Sequence, residues 1–133
     1  MSLIQNSKIK IKNGGIMYQD IKDRTFKFAL RIIQLSKILY STKENYILGN
    51  QLLRAGTSIG ANAEEAVAAY SSDDFIYKLN ISLKEARETH YWLRLIKGSN
   101  ISEPEKLDGL IAEAEEIKKV LGAIVSKLRK NKK

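Results

Sequence analysis

Hydrophobic residues recur at steps of three and four along most of this chain, which is the period of an amphipathic α-helix. Breaks in the pattern predict helices at about 20–40, 42–70, 72–97 and 103–128. Cap signals mark the boundaries, with Ser41 and Glu44 at the start of the second helix, the segment 71–74 (SSDD) at the start of the third, and Gly98 as its stop. The short connections allow only antiparallel neighbours, so the predicted fold is all-α, an antiparallel up-down-up-down four-helix bundle.

The two ends of the chain lack this helical pattern. Lysine and isoleucine alternate over residues 8–12 and are followed by Asn13, Gly14 and Gly15, which predicts an N-terminal arm or disordered leader over 1–19. The bundle is expected to span 20–128, and 129–133 to form a basic C-terminal tail. A chain of 133 residues has the length of one domain, so a single core is expected.

The first predicted helix is apolar on more than one side. Its expected core stripe consists of Phe28, Ile32, Leu35 and Leu39. A second apolar face contains Phe26, Leu30 and Ile33, with Ala29 and Tyr40 beside them. Two interpretations fit this pattern: an aromatic-rich but ordinary core face, or a surface that a second copy of the chain covers.

Polar residues interrupt the predicted core stripe of the second helix. Asn62 falls on that stripe, and in helical bundles a hydrogen-bonded asparagine often fixes register or oligomeric state. Arg54, Asn62 and Glu65 are therefore candidate residues for an oligomer interface or its specificity. The alternative interpretation is a salt bridge for Arg54 and a solvated helix face for Glu64 and Glu65.

Small residues of the second and third helices favour close packing. Gly56 and Gly60 are spaced by four, which lets two helix backbones approach closely. Ser58 and Ser82 are interpreted as small packing residues or as residues that hydrogen-bond to a helix carbonyl.

His90 is the only histidine and falls on the apolar stripe of the third helix. A di-iron bundle needs Glu-x-x-His on two helices, and Glu85 and Glu88 have the wrong spacing to His90. No metal, cofactor, catalytic residue or small-molecule substrate is expected, so the chain is predicted not to be an enzyme. An enzyme that uses His90 with a carboxylate is the remote alternative.

The formal net charge of +8 belongs to the two ends of the chain. Residues 20–126 contain 15 basic and 15 acidic side chains, whereas the ends contain basic ones only. Five candidate nucleic-acid contacts follow: Lys127, Arg129, Lys130, Lys132 and Lys133. The alternative role of these residues is to keep the protein in solution.

Basic and aromatic residues also occur together late in the third helix, where Arg87, Tyr91, Trp92 and Arg94 follow one another closely. Such a set is able to stack on bases and bind a phosphate backbone. The alternative is an interface or the edge of the core.

The chain contains no cysteine, no apolar segment of membrane-spanning length and no apolar signal core after its first lysines. We therefore expect a cytoplasmic protein without disulfides and without a membrane partner.

Three segments resemble one protein family: 51–66 (QLLRAGTSIGANAEEA), 74–76 (DFI) and 83–89 (LKEARET). They resemble the four-helix-bundle proteins encoded in intervening sequences of 23S ribosomal RNA genes, over about residues 20–126. That family is similar in turn to the accessory variability determinant proteins of diversity-generating retroelements, which bind reverse transcriptase and nucleic acid.

This resemblance implies a ring-like homopentamer. It further implies a non-catalytic module whose partners are copies of itself and RNA, DNA or a nucleic-acid enzyme. An oligomeric scaffold without a nucleic-acid role is the alternative, because the body of the chain is formally neutral.

Overall fold

The computed structural model describes residues 14–40, 42–102 and 104–131, and these residues form four α-helices. The helices are α1 (Gly14–Leu39), α2 (Lys43–Ala66), α3 (Ser72–Gly98) and α4 (Pro104–Asn131). Each helix packs on the next one along the chain, and α4 packs back on α1. The prediction of an all-α four-helix bundle is confirmed.

Neighbouring helices run in opposite directions, since residue numbers that rise along one helix meet numbers that fall along the next. The pairs are Tyr18–Ala63 and Tyr40–Asn50 between α1 and α2, Arg54–Glu85 and Ile59–Ser82 between α2 and α3, and His90–Glu115 and Lys97–Asp108 between α3 and α4. This order of contacts is that of an up-down-up-down bundle.

Apolar side chains of all four helices meet in one core. Buried members include Phe28, Ile32 and Leu39 from α1, Leu52 and Ile59 from α2, Phe75, Leu79 and Leu93 from α3, and Leu107, Ile117 and Leu121 from α4. Burying a side chain of this size stabilises the fold by about 1.5–3 kcal/mol relative to leaving it exposed. The core stripe predicted for the first helix lies in this core.

The first helix begins at Gly14 rather than near residue 20, so the predicted arm over 1–19 is corrected from residue 14 onward. The core stripe continues in that direction, because Tyr18 and Ile21 are both buried. The Tyr18 ring lies 5.5 Å from the Phe75 ring. Burial of this additional turn holds it against α2 and α3. The rest of the predicted arm lies outside the described residues.

The second helix ends at Ala66 rather than near residue 70. The Tyr18 hydroxyl donates a 2.6 Å hydrogen bond to the Ala63 carbonyl, which a continuing α-helix would offer to the Val67 N–H. That N–H instead bonds to the Glu64 carbonyl at 3.1 Å. Tyr70, the last residue of the predicted helix at 42–70, lies beyond the helix with its side chain exposed.

The helix caps agree with the sequence in part. The Ser71 hydroxyl accepts a 3.1 Å hydrogen bond from the Asp74 N–H, as predicted for the third helix. At the second helix the cap is Thr42, whose hydroxyl accepts from the Asn45 N–H. Ser41, the cap residue proposed for the second helix, lies outside the described residues.

The last two helices end later than predicted. The third includes Gly98, and the residue in the left-handed region is Asn100, with φ of 57°. The fourth continues to Asn131, through most of the predicted tail at 129–133. Leu128 is buried near this end, so the terminal turns pack on the core.

Three glycines of α2 face α1 and let the two helices approach closely. A methyl group on Gly56 would lie 2.9 Å from Ile32 Cγ2, and one on Gly60 would lie 3.2 Å from Thr25 Oγ1. On Gly49 it would meet the Tyr40 ring at 2.9 Å. The close approach predicted from Gly56 and Gly60 is therefore present between α1 and α2.

We expect Gly56→Ala to destabilise the protein. The new methyl group would press on buried, β-branched Ile32, at a cost of about 1–3 kcal/mol. Better helix propensity returns about 1 kcal/mol of that cost. Urea unfolding followed by circular dichroism measures the difference.

Gly122→Ala is the matched control, because a methyl group there meets no atom within 4 Å. It should raise the free energy of unfolding by about 0.5–1 kcal/mol. Equal stabilisation by both substitutions would contradict the tight α1–α2 contact.

Candidate interaction surfaces

One side of α1 presents apolar side chains to solvent. This α1 apolar face consists of Phe26, Ala29, Leu30, Ile33 and Tyr40. Phe26 is 63% exposed and Leu30 is 49% exposed, while Ile33 and Ala29 are half-buried. The core stripe of α1 points the other way, so Phe26 and Leu30 stay open to solvent. Tyr40, just after the end of α1, lies against Gly49 of α2.

A shallow cleft of about 180 Å³ lies beside this face, between α1 and α2. Its lining consists of Lys22, Thr25, Phe26, Ala29, Thr57, Gly60, Ala61 and Glu64. The Lys22 ammonium and the Glu64 carboxylate, 3.6 Å apart, form a polar rim. An exposed apolar patch with a polar rim is typical of a protein interaction site.

Arg54 bridges α2 and α3 within one protomer. Its guanidinium lies 3.3 Å from the Glu85 carboxylate and also pairs with Glu88. Glu88 in turn accepts a 3.0 Å hydrogen bond from the Trp92 indole N–H. Arg54 thus has the salt bridge that one interpretation of the sequence gave it, and it shares its charge between two carboxylates.

Asn62 does not take the core position that its place in the pattern predicted. Its amide donates a 2.8 Å hydrogen bond to the Ser58 carbonyl of the same helix, and the side chain is half-buried. Ala63, four residues after Ile59, is the core residue instead. A small residue fits here, where Tyr18 of α1 packs against the end of α2.

Glu65 lies on the exposed side of α2, with 60% of its side chain accessible. The Lys78 ammonium of α3 lies 3.7 Å from its carboxylate. This is a solvated ion pair, which typically contributes about 0–1 kcal/mol to stability. Arg54, Asn62 and Glu65 therefore all have partners inside the protomer.

The basic residues near the C-terminus lie on the last turns of α4. Lys127, Arg129 and Lys130 are exposed, and none of them forms an ion pair with an acid in the part of the chain that the structure describes. Lys132 and Lys133 lie outside the described residues. Cations at this end interact favourably with the helix dipole and remain available for an anion.

His90 lies between α3 and α4 with 16% of its side chain exposed. Burial lowers its pKa, the positive charges of Lys118 and Arg94 lower it further, and Glu115 opposes them. His90 Nε2 is 3.9 Å from Glu115 Oε1, and the Lys118 ammonium is 2.8 Å from the same oxygen. The carboxylate is thus engaged more closely by lysine than by histidine.

Two properties of the described residues bear on metal and membrane chemistry. No three His, Cys, Asp or Glu side chains in 14–40, 42–102 and 104–131 come close enough to hold a metal ion. Within the same ranges, no helix combines the length and the apolar character that crossing a membrane requires.

A family model described as 23S rRNA-intervening sequence protein matches residues 18–123. The chain belongs to the 23S rRNA-intervening sequence protein family. This match covers all four helices of the bundle, so the resemblance drawn from the three sequence segments is confirmed.

One solved structure is also similar to this chain. It is the crystal structure of a protein with unknown function from the S23 ribosomal protein family of Bacteroides thetaiotaomicron. The two chains are 42% identical, and the match covers 83% of this chain and 98% of the other with a TM-score of 0.78. No curated protein matches the chain significantly.

The sequence segments that indicated the 23S rRNA-intervening sequence protein family pack against each other. Arg54 of the first segment pairs with Glu85 and Glu88 of the third. Next to them, the buried Ser82 hydroxyl donates a 2.6 Å hydrogen bond to the Ile59 carbonyl. Sequence reasoning placed Arg54 on the second helix and both glutamates on the third, but it did not identify them as partners.

We expect the stability of this family member to fall as the pH drops below about 6.5, partly because of His90. The folded protein lowers the pKa of His90, so the unfolded chain takes up a proton that the folded one resists. The stabilising contribution is complete above the unfolded pKa and is lost as the pH falls toward the folded one.

Urea midpoints at about pH 7.5 and 5.5 measure this effect. His90→Gln should show a smaller loss between the two pH values than the wild type. An identical loss in both proteins would show that His90 does not contribute.

Proposed function

We propose that this protein is a non-catalytic binding module that assembles with copies of itself through the α1 apolar face. The observation that carries the proposal is the exposure of Phe26 and Leu30 beside an open cleft. Removing such side chains from water is favourable by about 25 cal/mol per Å² of apolar surface. A second copy supplies the same apolar chemistry and fits inside the polar rim of Lys22 and Glu64.

The proposed assembly is a homopentameric ring, the stoichiometry that the family resemblance implies. A ring would bring together several copies of the basic end of α4. Weak contacts made by each copy then add up, because once one copy is bound the others bind at high effective concentration. Self-association and ligand binding are therefore linked in this proposal.

The proposed partner is nucleic acid or a protein that processes it. Exposed, unpaired cations at Lys127, Arg129 and Lys130 support this partner, since phosphate backbones bind chiefly through lysine and arginine. The family name refers to 23S rRNA, which is consistent with an RNA context. The competing proposal is a scaffold without a nucleic-acid role, favoured by the equal numbers of acidic and basic residues over 20–126.

Self-association is tested by Phe26→Glu. A carboxylate in the centre of the α1 apolar face would have to be desolvated in the interface, so the variant should dissociate to smaller species. Sedimentation velocity and light scattering on wild type and variant give the mass of each. We expect an oligomeric wild type and a substantial shift of the variant toward the monomer.

Tyr70→Glu is the matched control for that experiment. It also replaces a large exposed aromatic residue with glutamate, but Tyr70 lies beyond the end of α2 and is 97% exposed. Its mass should equal that of the wild type. A monomeric wild-type protein would contradict the proposal.

Nucleic-acid binding is tested by titrating the full chain with a labelled RNA oligonucleotide at about 50 and 200 mM salt. If an assembly makes about six to ten phosphate contacts, raising the salt over this range should weaken binding by about 10³–10⁵. An intact oligomer that does not bind at the lower salt concentration would support the scaffold proposal.

Deleting 127–133 is not a clean test of the basic end, because it also removes the buried Leu128. Replacing only the charged side chains leaves the end of α4 packed on the core.

A further inference from the structure

The outward side of α3 carries tyrosines and cations in a regular order. We name this set the α3 strip: Tyr77, Asn80, Lys84, Arg87, Tyr91 and Arg94. Its members are spaced alternately by three and four residues, which places them on one side of a helix. Arg87, Tyr91 and Arg94 were identified from sequence, whereas Tyr77, Asn80 and Lys84 were not.

The side chains of the α3 strip are open to solvent. Tyr77 is 61% exposed and Tyr91 is 49% exposed, and Lys84 and Arg87 are exposed as well. The Arg94 guanidinium lies 5.9 Å from the centre of the Tyr91 ring, a cation–π arrangement that holds both side chains at the surface. The Tyr91 ring also lies 5.2 Å from the Trp92 ring, so the exposed parts of Tyr77 and Tyr91, with cations beside them, are what a ligand can contact.

The acidic residues of α3 that lie between the members of the α3 strip form ion pairs on the side of the helix that faces α2. Arg54 of α2 pairs with Glu85 and Glu88, so both carboxylates are held toward α2 and away from the cations that face α4. Asp73 and Asp74 lie at the N-terminal turn of α3, before the first tyrosine of the strip. Beyond that turn the side of α3 toward α4 is basic.

An open groove of about 620 Å³ runs between the α3 strip and α4. It is lined by Asn80, Leu83, Arg87, Gly122, Val125, Ser126, Arg129 and Lys130. Arg87 stands on one wall, with Arg129 and Lys130 on the other, and no carboxylate is part of the lining. Gly122 widens the groove because it has no side chain to fill it.

We propose that this groove binds the backbone of single-stranded nucleic acid, with bases stacked on Tyr77 and Tyr91. Arg87, Arg129 and Lys130 would contact phosphates, and Asn80 and Ser126 offer further hydrogen bonds. Along α3, Arg87 and Arg94 are separated by about two helical turns, or roughly 10 Å at 1.5 Å per residue, so the cations of this side are able to contact more than one phosphate.

A single strand fits this surface better than a duplex does. Tyrosine side chains stack on bases only when those bases are unpaired and turned outward, as in loops and single strands. The inference rests on the proposed function, because it assumes that the partner is nucleic acid. It adds the position of the site and the strandedness of the ligand.

The test uses the full chain and a fluorescein-labelled 20-nucleotide oligouridylate, with anisotropy titrations at several salt concentrations. Arg129→Gln/Lys130→Gln and Arg87→Gln should each weaken binding about tenfold at low salt. They should also flatten the plot of log affinity against log salt by about 0.7 for each phosphate contact removed.

Tyr77→Ala and Tyr91→Ala separate stacking from charge. Each should weaken binding about tenfold while the salt dependence stays unchanged, because stacking releases no counterions. Neither substitution should alter binding to a duplex of the same length. A purely structural effect of these variants would appear instead in their thermal unfolding, which is measured in parallel.

Lys37→Gln/Lys43→Gln is the matched control. It also removes two exposed positive charges, but at the opposite end of the bundle, where α1 ends and α2 begins. Its affinity should stay within about twofold of the wild type. Sedimentation of every variant verifies that the oligomer is unchanged.

The outcomes separate this inference from the proposed function. If the wild type binds and the groove variants bind as well as the control, the groove is not the site, although the protein still binds nucleic acid. If the wild type does not bind oligouridylate at low salt, both the inference and the nucleic-acid role are overturned. Polyglutamate that displaces the labelled strand as effectively as unlabelled oligouridylate would indicate an acidic protein partner instead.

Discussion

Each helix of a four-helix bundle can bury only the side that faces its neighbours, and this limit shapes the rest of the molecule. The core takes one apolar stripe from each helix, held close on the α1–α2 side by Gly56 and Gly60. The second apolar face of α1 points away from that core and stays at the surface, with Phe26 and Leu30 exposed. Self-association through this face would relieve its exposure to water without any change inside the protomer.

The same geometry places acidic and basic side chains, which are equal in number over residues 20–126, on different surfaces of the bundle. Along α3, acids that face α2 pair with Arg54, whereas Arg87 faces the groove toward α4 without an acidic partner. The closing turns of α4 add Arg129 and Lys130 to that groove. Because electrostatic attraction depends on local charge rather than on the sum over the chain, Arg87 of the formally neutral body and two cations of the basic end together form one basic surface.

The surfaces proposed for assembly and for ligand binding lie on different sides of this bundle. The α1 apolar face lies on the α1–α2 side, while the groove and the α3 strip lie on the α3–α4 side. A copy docked on α1 would therefore leave Arg87, Tyr77 and Tyr91 accessible. The ion pairs of Arg54 connect the two sides, since they hold α2 to α3 and direct the acids of α3 away from the groove.

The sequence by itself determined the four helices, the stripes that form the core and the family, because helical periodicity and short motifs are local properties of the chain. The tertiary structure decided the features that depend on distant residues. Burial of Tyr18 extends α1 to Gly14, and the Tyr18 hydroxyl donates a hydrogen bond to the Ala63 carbonyl at the end of α2. Arg54 forms ion pairs with two glutamates of α3. The basic groove belongs to the same class, since Arg87 and Arg129 are far apart in the chain and meet only when α4 packs against α3.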